Sequence, residues 1–195
     1  MLQFGTDGVR GDAETQLTSR FVVALARAFI QVTAAERVLI AHDSRESGPR
    51  IEADLAAGCA AQGATCESAG VLPTPGLAVL SRVRNEWAAM ISASHNLWSD
   101  NGIKFFAPGG TKLSDEHQTA IESLLVANFE RGVDSAETLG AIDASGVYER
   151  WLCEQVGEHS LRGLQVVLDC ANGAASTIAP AVFRALGGAT QVVHA

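Results

Sequence analysis

Basic residues are scarce. Lys and Arg number 14 against 22 Asp and Glu, a formal net charge of -8 over 195 residues. A surface of that sign repels phosphodiester backbones, and no local basic stripe is present, so nucleic acid is not an expected partner. Long apolar runs are also missing. None approaches the ~20 residues that cross a bilayer, and the N-terminus lacks the charged and apolar regions of a signal peptide. The expectation is a soluble, cytoplasmic chain with no membrane partner. Cysteine is sparse: Cys59, Cys66, Cys153 and Cys170 form no CxxC pair and have no zinc-ligand spacing, which favours reduced core thiols. Walker A and GxGxxG sequences are absent, removing the two commonest nucleotide-binding signals. There is no GxSxG elbow, no internal repeat and no low-complexity tract.

What is present suits a packed core. Hydrophobic residues make up 47% and charged residues 18%, too apolar and too weakly charged for a disordered chain. The length fits one full domain plus a remainder, or two small domains. Helix and strand patterns alternate. Residues 18–34 carry Phe21, Leu25, Ala28 and Phe29 on one helical face, with Thr18 or Ser19 as N-cap. Residues 37–41 (RVLIA) and 87–92 (WAAMIS) read as strands buried on both faces. Further helices are expected at 47–62, up to Val83, at 114–129, 148–156 and 174–186. Further strands are expected at 65–69, 102–106, 164–169 and from Thr190. Residues 132–145 read as a linker. The closing strand–helix–strand is a parallel crossover, and parallel sheets need more strands and cover on both faces. The sequence is therefore expected to stop inside a second domain.

Four polar segments, three of them glycine-bearing, lie beside strand or helix ends, where ligand sites gather in open α/β sheets. In Gly5–Gly11 (GTDGVRG), glycines allow close backbone approach to an anion and Arg10 offers a bidentate cation. A glycine-rich turn with Arg10 in a surface ion pair is the plainer alternative. Asp43–Ser47 (DSRES) is accounted for by helix capping alone. The segment 92–106 (SASHNLWSDNGIKFF) carries serines, a histidine, asparagines and an aspartate. Alternation puts Lys104 on the opposite strand face from Ile103 and Phe105. Burial would lower its pKa and suit it to acid/base work, whereas an edge strand would use the same lysine against aggregation. Ser94 and His95 are adjacent, and in an extended segment they would face opposite ways, so they form no dyad by themselves. The last segment, Asp169–Ala174 (DCANGA), is either a tight turn or an anion loop at a helix start.

Taken in order, FGTDGVRG (4–11), DSR (43–45), GVLPTPG (70–76), ISASHN (91–96), DNGIKFF (100–106), GTKL (110–113) and VVLDCANGA (166–174) resemble the α-D-phosphohexomutase superfamily. They are most similar to its bacterial phosphoglucosamine mutases, along essentially the whole chain. The resemblance implies an α/β fold. Residues 1–145 would form a three-layer α/β/α phosphohexomutase domain I with a mixed sheet, and 146–195 a linker helix and the incomplete start of a similar domain II. It implies Ser94 as a phosphoserine that exchanges its phosphoryl group with a sugar phosphate through a 1,6-bisphosphate. Mg²⁺ would bind the phosphate on Ser94. Lys104 would be the general acid/base, Arg10 would stabilise the phosphoryl group, and His95 and Asn96 would hold the loop and its phosphate. Thr6 and Arg45 are further candidates for contacting the phosphate and ordering the site.

The sequence departs from the family at Leu97, where proline usually follows SHN, and at Ala41, where glycine is common. Losing proline frees φ and adds a backbone donor, so a less rigid loop is expected. The aspartate-rich metal loop, the sugar loop and the second phosphate loop of the family have no counterpart here. The chain by itself is thus expected not to complete a mutase cycle. A phosphomannomutase/phosphoglucomutase specificity and a non-catalytic binding remnant stand as alternatives, and oligomeric state is left open.

Overall fold

The computed structural model describes residues 4, 5, 8–131, 139–157 and 160–195. Along the chain it contains β1 (Val9–Asp12), α1 (Ser19–Thr33), β2 (Arg37–His42), α2 (Gly48–Ala60), β3 (Thr65–Val71), α3 (Thr74–Arg84), β4 (Trp87–Ile91) and β5 (Asp100–Ala107). There follow β6 (Thr111–Lys112), α4 (Asp115–Phe129), β7 (Gly140–Ala141), α5 (Ala144–Val156), β8 (Gln165–Asp169), α6 (Ile178–Ala185) and β9 (Ala189–Val193). The main sheet runs β1-β5-β4-β2-β3-β7, with β6 against β5. It is mixed: β2, β3, β4 and β7 pair in parallel, while β5 is antiparallel to both β4 and β1.

Strand periodicity divides the core. Val38 and Ile40 of β2, Ala89 and Ile91 of β4, and Ile103 and Phe105 of β5 face α1, α2 and α4. Their neighbours Leu39, Ala41, Ala88, Met90 and Phe106 face α3, α5 and α6. The two-residue repeat thus gives each central strand two apolar faces, one for each helical layer. Helix α1 starts where Thr18 Oγ1 accepts from Phe21 N and is buried without a break from Phe21 to Ile30. Its Phe29 lies flat on Phe105, ring centroids 4.1 Å apart, and edge-on to Trp87.

Several boundaries differ from the sequence reading. Residues 9–11, read as part of a glycine-rich turn, belong with Asp12 to the edge strand β1. Of the supposed linker, 132–138 lie outside the described residues, but β7 and the first two residues of α5 fall within it. Asp143 Oδ1 accepts from Gly146 N and starts α5 at Ala144, four residues before the expected Tyr148. Helix α6 begins at Ile178 rather than 174. Strands β8 and β9 pair in parallel as a separate two-stranded sheet, joined to the main body through α5 and α6. Among the cysteines, Cys59 is buried and the other three are half-buried.

Truncation of Phe29 to Ala removes the ring that locks α1 onto β4 and β5. A loss of about 3–5 kcal/mol is expected for a buried Phe→Ala change, read from the urea midpoint at unchanged slope.

Candidate functional site

Strands β2 and β4 are parallel neighbours, so the segments that leave their C-terminal ends emerge side by side. Asp43 N donates to Ile91 O at 3.0 Å, tying the start of one loop to the end of the other strand. Ser94 stands exposed on the loop after β4, with φ +58°. A left-handed serine is uncommon and costs on the order of 1–2 kcal/mol. It persists because the surroundings determine it. Ser94 N donates to Ser92 Oγ at 3.0 Å, and Ser92 Oγ donates to Asp43 Oδ2 at 2.7 Å.

Arg45 is the centre of this arrangement. Its Nε donates to Asp43 Oδ2 at 3.1 Å. One terminal nitrogen donates to the carbonyls of Leu97 and Asp100, the other to those of Ser94 and Asn96. Guanidinium has five N–H donors, and all five are engaged. The sequence reading offered Arg45 as a phosphate-ordering residue; the geometry makes it a clamp on the loop, with no donor left over for a phosphate. The missing proline at position 97 is offset in the same way: Leu97 O accepts from both Arg45 and Asp100 N. Asn96 is likewise turned inward, its Nδ2 donating to Asp100 Oδ2 at 3.1 Å.

Ser94 and His95 open into a hollow of about 530 Å³, walled by Asp43, Pro73 and Ser92 on one side and by Ala171 and Gly173 of the loop after β8 on the other. A larger hollow of about 910 Å³ lies on the far side of Arg45, among Asp12, Glu14, Glu46 and Trp98. It does not contain Ser94, so the smaller one is the candidate site. The left-handed turn also revises the view of Ser94 and His95. The segment is not extended, and Ser94 Oγ lies 3.4 Å from His95 Nδ1. That is longer than the ~2.6–3.2 Å of a contact set for proton abstraction.

Register places the two cations. Arg10 pairs with Gly102, Lys104 pairs with Met90, and Ser92 N donates to Gly102 O. Cross-strand partners share a face, so Arg10, Lys104 and Ser92 occupy one face of the sheet. Gly102 makes that possible: a Cβ there would sit 2.8 Å from both Arg10 Cγ and Ser92 O. Lys104 is half-buried, with Nζ 5.8 Å from the Phe106 ring centroid. Neither cation is among the residues walling the Ser94 hollow. Thr6 lies outside the described residues. The sequence reading missed Ser92 and Asp43 as supports of Ser94, although the serine two residues before Ser94 was a visible signal.

Arg45→Lys keeps the charge but supplies three donors where five are used. Amide exchange across 94–100 should rise by about tenfold or more, as expected for losing hydrogen bonds worth ~1.5–3 kcal/mol to a charged group. Exchange in α1 should be unchanged.

Residues 1–131 match the family model for phosphoglucomutase/phosphomannomutase, alpha/beta/alpha domain I. The phosphoglucosamine mutase of Bifidobacterium animalis subsp. lactis is 42% identical over 98% of this chain and 46% of its own length. That of Neisseria meningitidis serogroup C is 46% identical over 97% of this chain and 45% of its own. The chain therefore spans about half the length of these curated relatives. A putative phosphomannomutase from Thermus thermophilus superposes with a TM-score of 0.85 at 23% identity, over 98% of this chain and 45% of that one. A phosphoglucomutase/phosphomannomutase family protein from Burkholderia thailandensis gives 0.84 at 24% identity, over 100% and 44%. These two likenesses establish the fold. With the ordered motifs and the domain I match, the chain belongs to the phosphoglucomutase/phosphomannomutase family of phosphohexomutases.

Proposed function

We propose that this chain carries the phosphoryl-relay half of a phosphoglucosamine mutase, which interconverts glucosamine 6-phosphate and glucosamine 1-phosphate. The observation that carries the reading is an exposed serine held in a left-handed turn at the C-terminal end of a parallel strand. The names of the 40–46% identical relatives support the amino-sugar assignment. In this reading 1–145 form the phosphoserine domain, and 146–195 a connecting helix and the start of the next domain.

Phosphoryl transfer asks for positioning and charge neutralisation more than for a strong base. The phosphate ester on Ser94 is the donor. Its P–O bond to Oγ breaks as a bond forms from phosphorus to the sugar hydroxyl oxygen, and the hydroxyl proton passes by way of Lys104 to the departing Oγ. The 1,6-bisphosphate then turns, and its other phosphoryl group returns to Ser94 Oγ, whose proton passes back by way of Lys104 to the departing sugar oxygen. Arg10 offsets the charge of the group in transit. In this reading His95, whose Nδ1 is 3.4 Å from Ser94 Oγ, contacts the phosphate, and Asn96 keeps the loop closed.

Magnesium fits the donor that Ser94 would present, because a phosphate ester supplies the hard oxygens that Mg²⁺ prefers. Among the described residues there is no cluster of three or more His, Cys, Asp or Glu able to hold a metal. Both Asp43 carboxylate oxygens are already hydrogen-bonded. Phosphorylated Ser94 would thus be this chain's ligand, and the ion would neutralise the roughly -1.5 to -2 charge of the ester.

For these residues the expected activity is phosphoryl acceptance at Ser94 rather than turnover of a hexose phosphate. Incubation with glucose 1,6-bisphosphate and Mg²⁺ should add the mass of one phosphoryl group, mapped to Ser94. Ser94→Ala should remain unmodified. A wild-type chain that gains no mass, or gains it elsewhere, contradicts the proposal.

A further inference from the structure

Behind the Asp43 loop lies a buried pair that the reaction does not use. His42 ends β2 and Glu52 lies on α2, their side chains 12% and 10% exposed, and neither walls the Ser94 hollow. His42 Nδ1 is 2.7 Å from the Asp43 carbonyl oxygen. A carbonyl only accepts, so Nδ1 carries the hydrogen. Nε2 at the other edge of the ring stands 3.9 Å from Glu52 Oε2. Glu52 Oε1 is buried with no hydrogen-bond partner among the described residues. The ring has little room to turn. It lies against Gly48, the first residue of α2, where an added Cβ would come within 2.9 Å of Nδ1.

The Nδ1 contact holds the Asp43 carbonyl as the chain leaves β2, next to the residue whose carboxylate supports the serine loop. The same carboxylate accepts from Ser92 Oγ at 2.7 Å and from Arg45 N and Nε at 3.0 and 3.1 Å. Ser92 Oγ in turn accepts from Ser94 N at 3.0 Å. A series of contacts thus runs from α2 to the serine: Glu52 faces His42 at 3.9 Å, and hydrogen bonds link His42 to Asp43, Asp43 to Ser92 and Ser92 to Ser94. We propose that His42 and Glu52 are positioning residues, holding Ser94 in its left-handed presentation through Asp43 and Ser92 without touching the substrate. The inference rests on reading Ser94 as the phosphoryl carrier.

Two readouts separate the two ideas. Amide exchange of the 92–96 segment reports the placement of the loop. The rate of phosphoryl uptake from glucose 1,6-bisphosphate, resolved into its saturating value and half-saturating concentration, reports the chemistry. His42→Leu removes the Nδ1 donor. Exchange should rise and the saturating rate should fall by about fivefold to tenfold, the worth of one hydrogen bond, with the half-saturating concentration unchanged. His42→Asn, whose amide can sit where Nδ1 sits, should recover most of both. Glu52→Gln should shift both in the direction of His42→Leu by a smaller factor, and it replaces His42→Leu if that variant does not fold. Wild-type exchange in folded His42→Leu, or no recovery in His42→Asn, overturns the positioning role. A wild-type chain that takes up no phosphoryl group, while its loop exchange still responds to these variants, sinks the carrier reading and leaves the positioning result standing.

Discussion

One guanidinium organises the loop on which the proposed chemistry depends. Arg45 reaches from the segment after β2 to four carbonyl oxygens in the segment after β4, while its Nε grips Asp43. Backbone carbonyls of a short loop cannot pair with one another in a regular ladder, and leaving them unpaired is costly. A planar, fixed fork of donors meets several of them at once. The result is a turn stiff enough to keep a serine at positive φ with its hydroxyl exposed. The parallel pairing of β2 with β4 is the precondition, since only adjacent strand ends bring Arg45 within reach.

The remainder of the fold serves that adjacency. The central strands are apolar on both faces, so two helical layers hold them at fixed spacing. The reversal at β5 brings Arg10 of β1 and Lys104 of β5 onto the face that Ser92 occupies. Gly102 lets the Arg10 stem lie across the strand where any side chain would collide. A site assembled at strand ends in this way is clamped through Arg45 on one side and walled on the other by Ala171 and Gly173 of the loop after β8.

Much of this was legible in the amino-acid order, because burial on both faces leaves an unbroken apolar run and helices announce themselves by period and cap. Strands β2 and β4 and helices α1 and α4 lie within a residue or two of their expected limits. The edge strand β1 was not legible. Gly8 and Gly11 flank Arg10, and such a segment reads as a turn until β5 supplies the ladder that holds it extended. The start of α5 was hidden by the weak formers after Gly140, with only Asp143 as a cap signal. Ser94 and its loop stood out by residue type. The work of Arg45 did not, because its bonds go to backbone atoms some fifty residues away, and backbone acceptors leave no mark in a sequence. Local reading saw a polar turn before a helix, and the family resemblance suggested a phosphate contact.

The clamp can be observed directly. In solution, a guanidinium with every donor engaged rotates slowly about its C–N bonds, so nitrogen-15 NMR of Arg45 should resolve its individual terminal N–H hydrogens as separate resonances, at most four. They should persist when Ser94 is phosphorylated. A single averaged signal for Arg45, equivalent to that of an exposed arginine, would mean that the guanidinium does not hold the loop, and the account of how Ser94 is presented would fail with it.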